Sequence, residues 1–579
     1  MSTLLEQASL IMIPSGYKED VVYSVIPETG AGDLSFTRAS NGTRINSAGL
    51  VEVTPWNLMS YSEQFDNAFW NKATSGSATF VVTANQTTAP NGTNTADLVS
   101  ITRSATSELA AIYTSVGQGI GTFKNSIWLK AKDNSNVGKT IDLWSWESAT
   151  RGYTKITLTA DWVRYEQDTT VFTGSASELF DFGLLPITYS TSTTLAVEFY
   201  AWGGQSNIGS TAKPYFPTTD RLNVPRLTYQ NGGGGCPSLL LEKQSTNLFT
   251  YSEQLQTGTS GTITVTPNTA ISPDGTQNAD SLSTSGYLIK SLSATAGTYT
   301  YSVFAKYLSQ NTINISIYDG VYYDATYNVS TGVVSSSSAG VTASIQNMGN
   351  GWYRCIMTAT TANNVSEVGF NTGNVYAWGC QFEAGSYATS YISTTSASAT
   401  RVADACSKTG ISSLIGQTEG VLFVDVSGPS KTVDSRYIAV SDGTGVNRIL
   451  FFQSATSTTS VYWQSSAGSG ALSFTTINGR MKLAVGYKNN DFVVYCNGVL
   501  KTSTTSAPIS MTLNTLCVGT YEDGTIPNSL DQSVNEAILF PTRLTNAELA
   551  QLTGNQNYTI NQAYASYGVA SESPNCVQP

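Results

Sequence analysis

The chain has 579 residues, more than one hydrophobic core can use, and roughly 150 residues per domain predicts about four units. Only 12% of residues are charged while 40% are hydrophobic and 11% aromatic, which argues against extensive disorder and favours strands whose surfaces are solvated by Ser, Thr, Asn and Gly. The net charge of -11 argues against a nucleic acid or anionic-membrane partner, and the absence of histidine excludes Ser-His-Asp and Cys-His nucleophiles, imidazole acid-base work and imidazole-dependent metal sites.

In chain order, Met1 to Lys18 has no basic stretch ahead of its short apolar run, and no window approaches about eighteen uncharged apolar residues. Neither a secretory signal nor membrane insertion is expected. Residues 1–56 hold a short helix near Leu4–Ala8 and a strand over Leu34–Ser40 before the turn Asn41-Gly42. This segment is too small to fold alone.

From Asn57 onward the chain repeats itself. Asn57-Leu58 and Tyr61-Ser62-Glu63-Gln64 return as Asn247-Leu248 and Tyr251-Ser252-Glu253-Gln254. Pro90-Asn91-Gly92-Thr93 with Ala96-Asp97 matches Pro273-Asp274-Gly275-Thr276 with Ala279-Asp280; Trp162-Val163-Arg164 matches Trp352-Tyr353-Arg354; Ala201-Trp202-Gly203 and Gln205 match Ala377-Trp378-Gly379 and Gln381. Ordered matches of this kind define two related units, 57–220 and 247–406, each of short alternating strands broken by Asn-Gly or Pro-Asp-Gly turns. Each reads as a jelly roll. The connector 221–246 carries Gly232-Gly233-Gly234-Gly235, read as a flexible joint and not as a phosphate loop, since no Lys-Ser or Lys-Thr follows.

A third, unrelated unit spans 407–555. Val421–Val426 reads as a strand, Lys482–Tyr487 and Phe492–Tyr495 as a hairpin, and Thr545-Asn546-Ala547-Glu548 as a capping box opening a short helix. Residues 556–579 form a C-terminal tail. The fold class is therefore all-β, as tandem β-sandwiches. Seven cysteines at irregular spacing, with no Cys-x-x-Cys pair, read as reduced and mostly buried thiols.

The phrases Leu34–Gly49, Asn57–Asp66, Cys236–Asn247 and Val375–Thr395 resemble tailed-phage fibre and head-fibre structural proteins over nearly the whole chain. The resemblance implies carbohydrate-binding-module-like jelly rolls, and, through Val494–Gly498 and the Leu544–Leu552 helix, a laminin-G or concanavalin-A-like third sandwich. It also implies a homotrimer on the virion surface, made in the host bacterial cytoplasm, held to other virion proteins through residues 1–56 and facing host-surface glycans. The expected function is non-enzymatic binding and assembly. A purely structural adaptor or decoration protein, and a surface-polysaccharide hydrolase or lyase, stand as alternatives.

Sugar binding needs aromatic faces beside hydrogen-bonding groups. Trp144 and Trp146 alternate on one sheet face with Asp142, and Tyr437, Tyr462 and Trp463 offer aromatics in the third unit; core packing is the competing reading for all of them. Trp202 and Trp378, at the same place in both copies, read as core. Glycoside cleavage calls for two carboxylates about 5 to 10 Å apart, and the stretch from Trp144 to Glu147 shows one acid without a visible partner. Calcium is the only cofactor considered: Glu63 with Asp97, and Glu253 with Asp280, are the candidate ligands, although oxygen atoms converging at ~2.4 Å are not legible from spacing. Arg38, Arg44, Arg221, Arg226 and Arg401 fall near the joints and read as clamps on carboxylates or carbonyls.

Overall fold

The computed structural model describes residues 4–114, 121–172, 178–283, 286–372, 374–428, 435–454, 457–521, 531–554 and 570–571. The tail 556–579 thus lies almost wholly outside the described residues. Antiparallel sheets dominate, with one α-helix, Asn546–Thr553, and two 3-10 turns, Leu5–Gln7 and Ser412–Leu414, among the described residues. No described helix is long and apolar enough to cross a membrane.

The two repeats are β-sandwiches of the same build. In the first, a five-stranded and a six-stranded sheet close on Phe65, Trp70, Phe182 and Phe199. In the second, two six-stranded sheets close on Tyr301, Tyr327, Phe370 and Phe382. The repeated residues explain themselves as staples. Asn57 donates from Nδ2 to the carbonyls of Gly204 and Phe216, and Asn247 does so to those of Cys380 and Ile392. Each thereby ties the first residues of its copy to the long late strand, Ala196–Ile208 or Val375–Ala384. Gln205 and Gln381 accept the N–H of Phe216 and Ile392, and Arg164 and Arg354 lie over the rings of Trp128 and Phe304. Trp202 and Trp378 are buried, as their shared position predicts.

The third sandwich revises how the units connect. The sequence predicts residues 1–56 as a separate segment and 407–555 as a self-contained domain. Instead Leu10–Met12 pairs with Asp531–Phe540, and Gly16–Lys18, Val21–Val22 and Leu34–Thr37 extend the ten-stranded sheet that holds Ser435–Ser441 and Thr515–Val518. The connector joins as well: Ser238–Glu242 pairs with Asp531–Phe540 in the opposing eight-stranded sheet. Leu10, Met12, Phe36, Leu239 and Leu241 share one core with Leu422, Val440 and Leu539. The jelly rolls are thus insertions into a discontinuous central sandwich; the strands within residues 10–37 belong to that sandwich because their apolar faces are buried there, while the hairpin Gly42–Ile45 with Val51–Thr54 packs its Val51 against the second jelly roll. The strands Ser245–Asn247 and Ala399–Arg401 pair side by side where the second insertion leaves and returns.

Where the insertions meet, five arginines act as the predicted clamps. Arg38 donates to Asp404 at 2.9 Å and to the Val224 carbonyl at 2.8 Å. Arg226 bridges Asp404 and Glu242, and Arg401 reaches Glu242 at 3.0 Å and the Lys243 carbonyl at 2.6 Å. Arg44 pairs with Glu52 at 2.8 Å, and Arg221 donates to the Asn57 carbonyl at 2.9 Å. All but Arg221 are buried. Burial alone would raise Glu242, but the charges of Arg401 and Arg226 and donors from Ser390 hold it well below the carboxylate range.

Within Gly232–Gly235, the backbone of Gly232 and Gly233 lies against the turn at Gly49, so this part of the expected flexible joint is held. All four have positive φ, and a Cβ on Gly49 would lie 2.6 Å from the Gly232 carbonyl oxygen, so the two backbones approach as only glycines allow. Beside it Cys236 is disulfide-bonded, correcting the all-reduced expectation; Cys355, Cys380, Cys406, Cys496 and Cys517 are free and buried.

The expected hairpin is present as Gly479–Lys488 with Asp491–Cys496, turning through Asn489 and Asn490. Thr545 and Glu548 form the capping box.

Candidate functional site

Asp142, Trp144 and Trp146 lie on the outer face of the five-stranded sheet of the first jelly roll, since Ile141 and Leu143, which alternate with them, point into the core. Asp142 and Trp144 are nevertheless closed off. The segment 185–195 folds over them: Asp142 accepts the Leu185 N–H at 3.0 Å, Ser190 Oγ at 2.9 Å and Tyr153 Oη at 3.2 Å, and Trp144 packs with Ala111 and Leu185. This corrects the expectation of a three-residue platform. A ring so covered has no free face for a sugar.

Trp146 remains half-buried at the strand's end. The ring of Tyr189, 55% exposed, meets it edge-on at 6.3 Å. Across the sheet Trp146 lies opposite Glu178 and Trp144 opposite Asp181. Glu178 and Asp181 share a hydrogen bond, and burial, then the neighbouring charge of Glu178, push Asp181 well above its usual range. Carboxyls in direct contact sit too close to flank a glycosidic bond, which needs about 5 Å or more.

The second copy repeats this corner. Thr312-Ile313-Asn314 through Tyr318-Asp319 aligns with Thr140-Ile141-Asp142 through Trp146-Glu147, so Tyr318 stands where Trp146 does. Tyr318 lies opposite Glu367 on one side and Tyr322 on the other. The two tyrosine rings are 4.6 Å apart and Tyr322 is 58% exposed. The strands Val365–Thr372 and Val375–Ala384 follow each other almost directly, so no segment equivalent to 185–195 lies between them. Tyr189, Glu178, Tyr318, Tyr322 and Glu367 were missed from sequence. The signal was the Thr-Ile-Asp/Asn alignment, which places an aromatic and then an acid at the same strand end in both copies.

The third-unit aromatics do not form a surface. Tyr437 is buried and donates to Gln453 Oε1 at 3.0 Å; Trp463 is buried with its ring 4.6 Å from Phe492. Tyr462 packs beneath the Arg448 guanidinium.

The calcium candidates are turn clamps. Asp97 accepts the N–H groups of Phe65 at 2.8 Å and Asn85 at 3.0 Å, and Asp280 those of Leu255 at 2.9 Å and Asn268 at 3.1 Å. Glu63 and Glu253 accept Tyr215 Oη and Tyr391 Oη at 3.1 and 3.0 Å. Burial pushes Asp97 and Asp280 up to about 6 and, with the charge of Asp274, Glu253 to about 7. Carboxyls whose oxygens already serve backbone amides are poorly placed as ligands, and among the described residues no group of three or more acidic or thiol side chains could hold a metal ion.

No family model matches the chain, and no curated protein does. Among solved structures it is similar to the CBM40 domain of the Ruminococcus gnavus IT-sialidase bound to alpha2,3 sialyllactose, at 13% identity and TM-score 0.22, over 24% of this chain and 84% of that one. A mutant of NanB sialidase from Streptococcus pneumoniae is similar at 15% identity and TM-score 0.23, over 27% of each chain. The ligand-binding domain of botulinum neurotoxin serotype D, in complex with N-acetylneuraminic acid, is similar at 12% identity and TM-score 0.20, over 24% of this chain and 36% of that one. Likeness at this level transfers neither ligand nor activity.

Proposed function

We propose that the protein is a non-enzymatic structural component of a phage particle, a head or tail fibre assembled as a homotrimer, whose jelly rolls hold host-surface glycans. The observation that carries glycan binding is the duplicated corner: Trp146 with Tyr189 and Glu178 in one copy, Tyr318 with Tyr322 and Glu367 in the other. An exposed ring offers a face to the C–H side of a pyranose, and a neighbouring carboxyl hydrogen-bonds its hydroxyls. Two weak sites per chain, multiplied by copies on a particle, act through avidity. The virion setting is supported by the sequence phrases resembling fibre proteins. In the first copy the carboxyls nearest the aromatics, Glu178 and Asp181, are hydrogen-bonded to each other, which favours holding a glycan over cleaving it.

Binding of the full chain to an array of bacterial surface glycans tests this reading. Trp146→Ala with Tyr189→Ala, and Tyr318→Ala with Tyr322→Ala, are each expected to weaken binding about five- to tenfold, and the combination to weaken it further. Unchanged binding in the combined variant removes the corner from consideration. No binding at all by the native chain favours the adaptor reading, and release of reducing ends from a capsule favours the hydrolase. Light scattering in solution checks the trimer.

A further inference from the structure

A cavity of about 420 Å³ lies where the central hairpin, the end of the first jelly roll and the loops of the second meet, within the roughly 300–1,000 Å³ typical of small-molecule sites. The hairpin strands Gly42–Ile45 and Val51–Thr54 form one wall, fixed to the second copy by Val51 N–H to the Pro273 carbonyl at 2.9 Å and Thr43 Oγ1 to the Tyr391 carbonyl at 2.5 Å. Trp56 and the Lys213–Glu52 ion pair close the first-copy side, and Glu253, Asp274, Trp378 and Tyr391 the other.

Trp378 is 1% exposed, lines this cavity, and its indole N–H has no partner. The duplication supplies an internal control. In the first copy the equivalent Trp202 donates to Thr95 Oγ1 at 3.1 Å. Asn278 replaces Thr95, and its Nδ2 turns to Glu253 at 3.4 Å and Asp274 at 3.1 Å, leaving its own Oδ1 and the indole N–H both unmet. Asp274 is itself new to the second copy, where Asn91 stands in the first.

A buried donor left unmet is costly, so such a group signals an absent partner. That partner must accept from the indole and donate to neighbouring oxygens. An alkylammonium only donates and leaves the indole unmet, whereas an anion would face Glu253 and Asp274. Adjacent hydroxyls do both, and the aromatic walls of Trp56, Trp378 and Tyr391 suit the apolar edge of a ring. We infer that this cavity binds a pyranose residue of a neutral saccharide, at a site built jointly by the hairpin and both jelly rolls and absent from the equivalent place in the first copy. It is independent of the strand-end corners.

Saturation-transfer NMR and calorimetry on the full chain test it, with neutral mono- and disaccharides as probes and an alkyl diamine and a uronic acid as controls. Neutral sugars are expected to bind, to the native chain and equally to the variant with all four corner aromatics replaced. Trp378→Phe, which keeps a ring but removes the donor, and Glu253→Gln are each expected to weaken binding about tenfold or more, while Trp202→Phe leaves it unchanged. Folding of each variant is checked by circular dichroism, and Glu253→Gln keeps the question open to test if Trp378→Phe fails to fold. Absence of neutral-sugar binding, binding of only the diamine or only the uronic acid, or sugar binding indifferent to both variants overturns the inference.

Discussion

Glu253 shows how one side chain responds to its surroundings. Burial, then the charge of Asp274, raise its carboxyl to about 7, against the lowering effect of donors from Ser393 and Tyr391. A carboxyl raised on folding takes up a proton as the chain folds, so its contribution is most favourable below about pH 4.5 and is lost as pH rises through about 7. Glu253→Gln is therefore expected to match the native chain at pH 4.5 and to exceed it at pH 8, by up to about 3 kcal/mol. Denaturant unfolding at the two pH values measures this; equal stability of the two chains at pH 8 would refute it. At the same scale, the repeated Asn, Gln, Arg and Trp residues were legible as a set because each fills one packing or hydrogen-bonding role twice. Strand alternation left Trp144 and Asp142 open between a binding face and packing, because it assigns a face but says nothing of a later segment lying across it.

Elements are joined here by close backbone approach as much as by side chains. The turn between the hairpin strands meets Gly232–Gly235 with Gly49 at φ +80° and a would-be Cβ 2.6 Å from a carbonyl oxygen. Gly49→Ala is expected to destabilise by about 2 kcal/mol or more, combining left-handed strain with displacement of the facing backbone. Thermal unfolding measures the loss, and faster proteolysis at Gly232–Gly235 locates it. The strand hairpins and the capped helix were legible because alternation, turn residues and capping boxes are local signals. The strand-end corner was half legible: Trp146 stands out by residue type, whereas Tyr318 emerges only when the copies are aligned strand by strand.

The whole molecule depends on a buried node in which Arg38, Arg226 and Arg401 share Asp404 and Glu242. These residues come from the first segment, the connector and the end of the second jelly roll, so the node holds the central sandwich to the second insertion. Asp404→Asn leaves buried guanidinium charge uncompensated and is expected to cost about 3 to 5 kcal/mol. A loss below about 1 kcal/mol in chemical unfolding would mean the node is incidental.

Composition, periodicity and self-comparison determined that this chain is all-β, that it contains a duplicated sandwich, and that histidine chemistry is closed to it. Those properties reside in residue type and local order. Tertiary structure alone decided that Leu10–Met12 pairs with residues more than five hundred positions away, that the jelly rolls are insertions, and that a cavity forms between them. The reason lies in what holds strands together. Backbone hydrogen bonds are nearly blind to sequence, so a pattern states which face of a strand is buried but not which strand lies beside it.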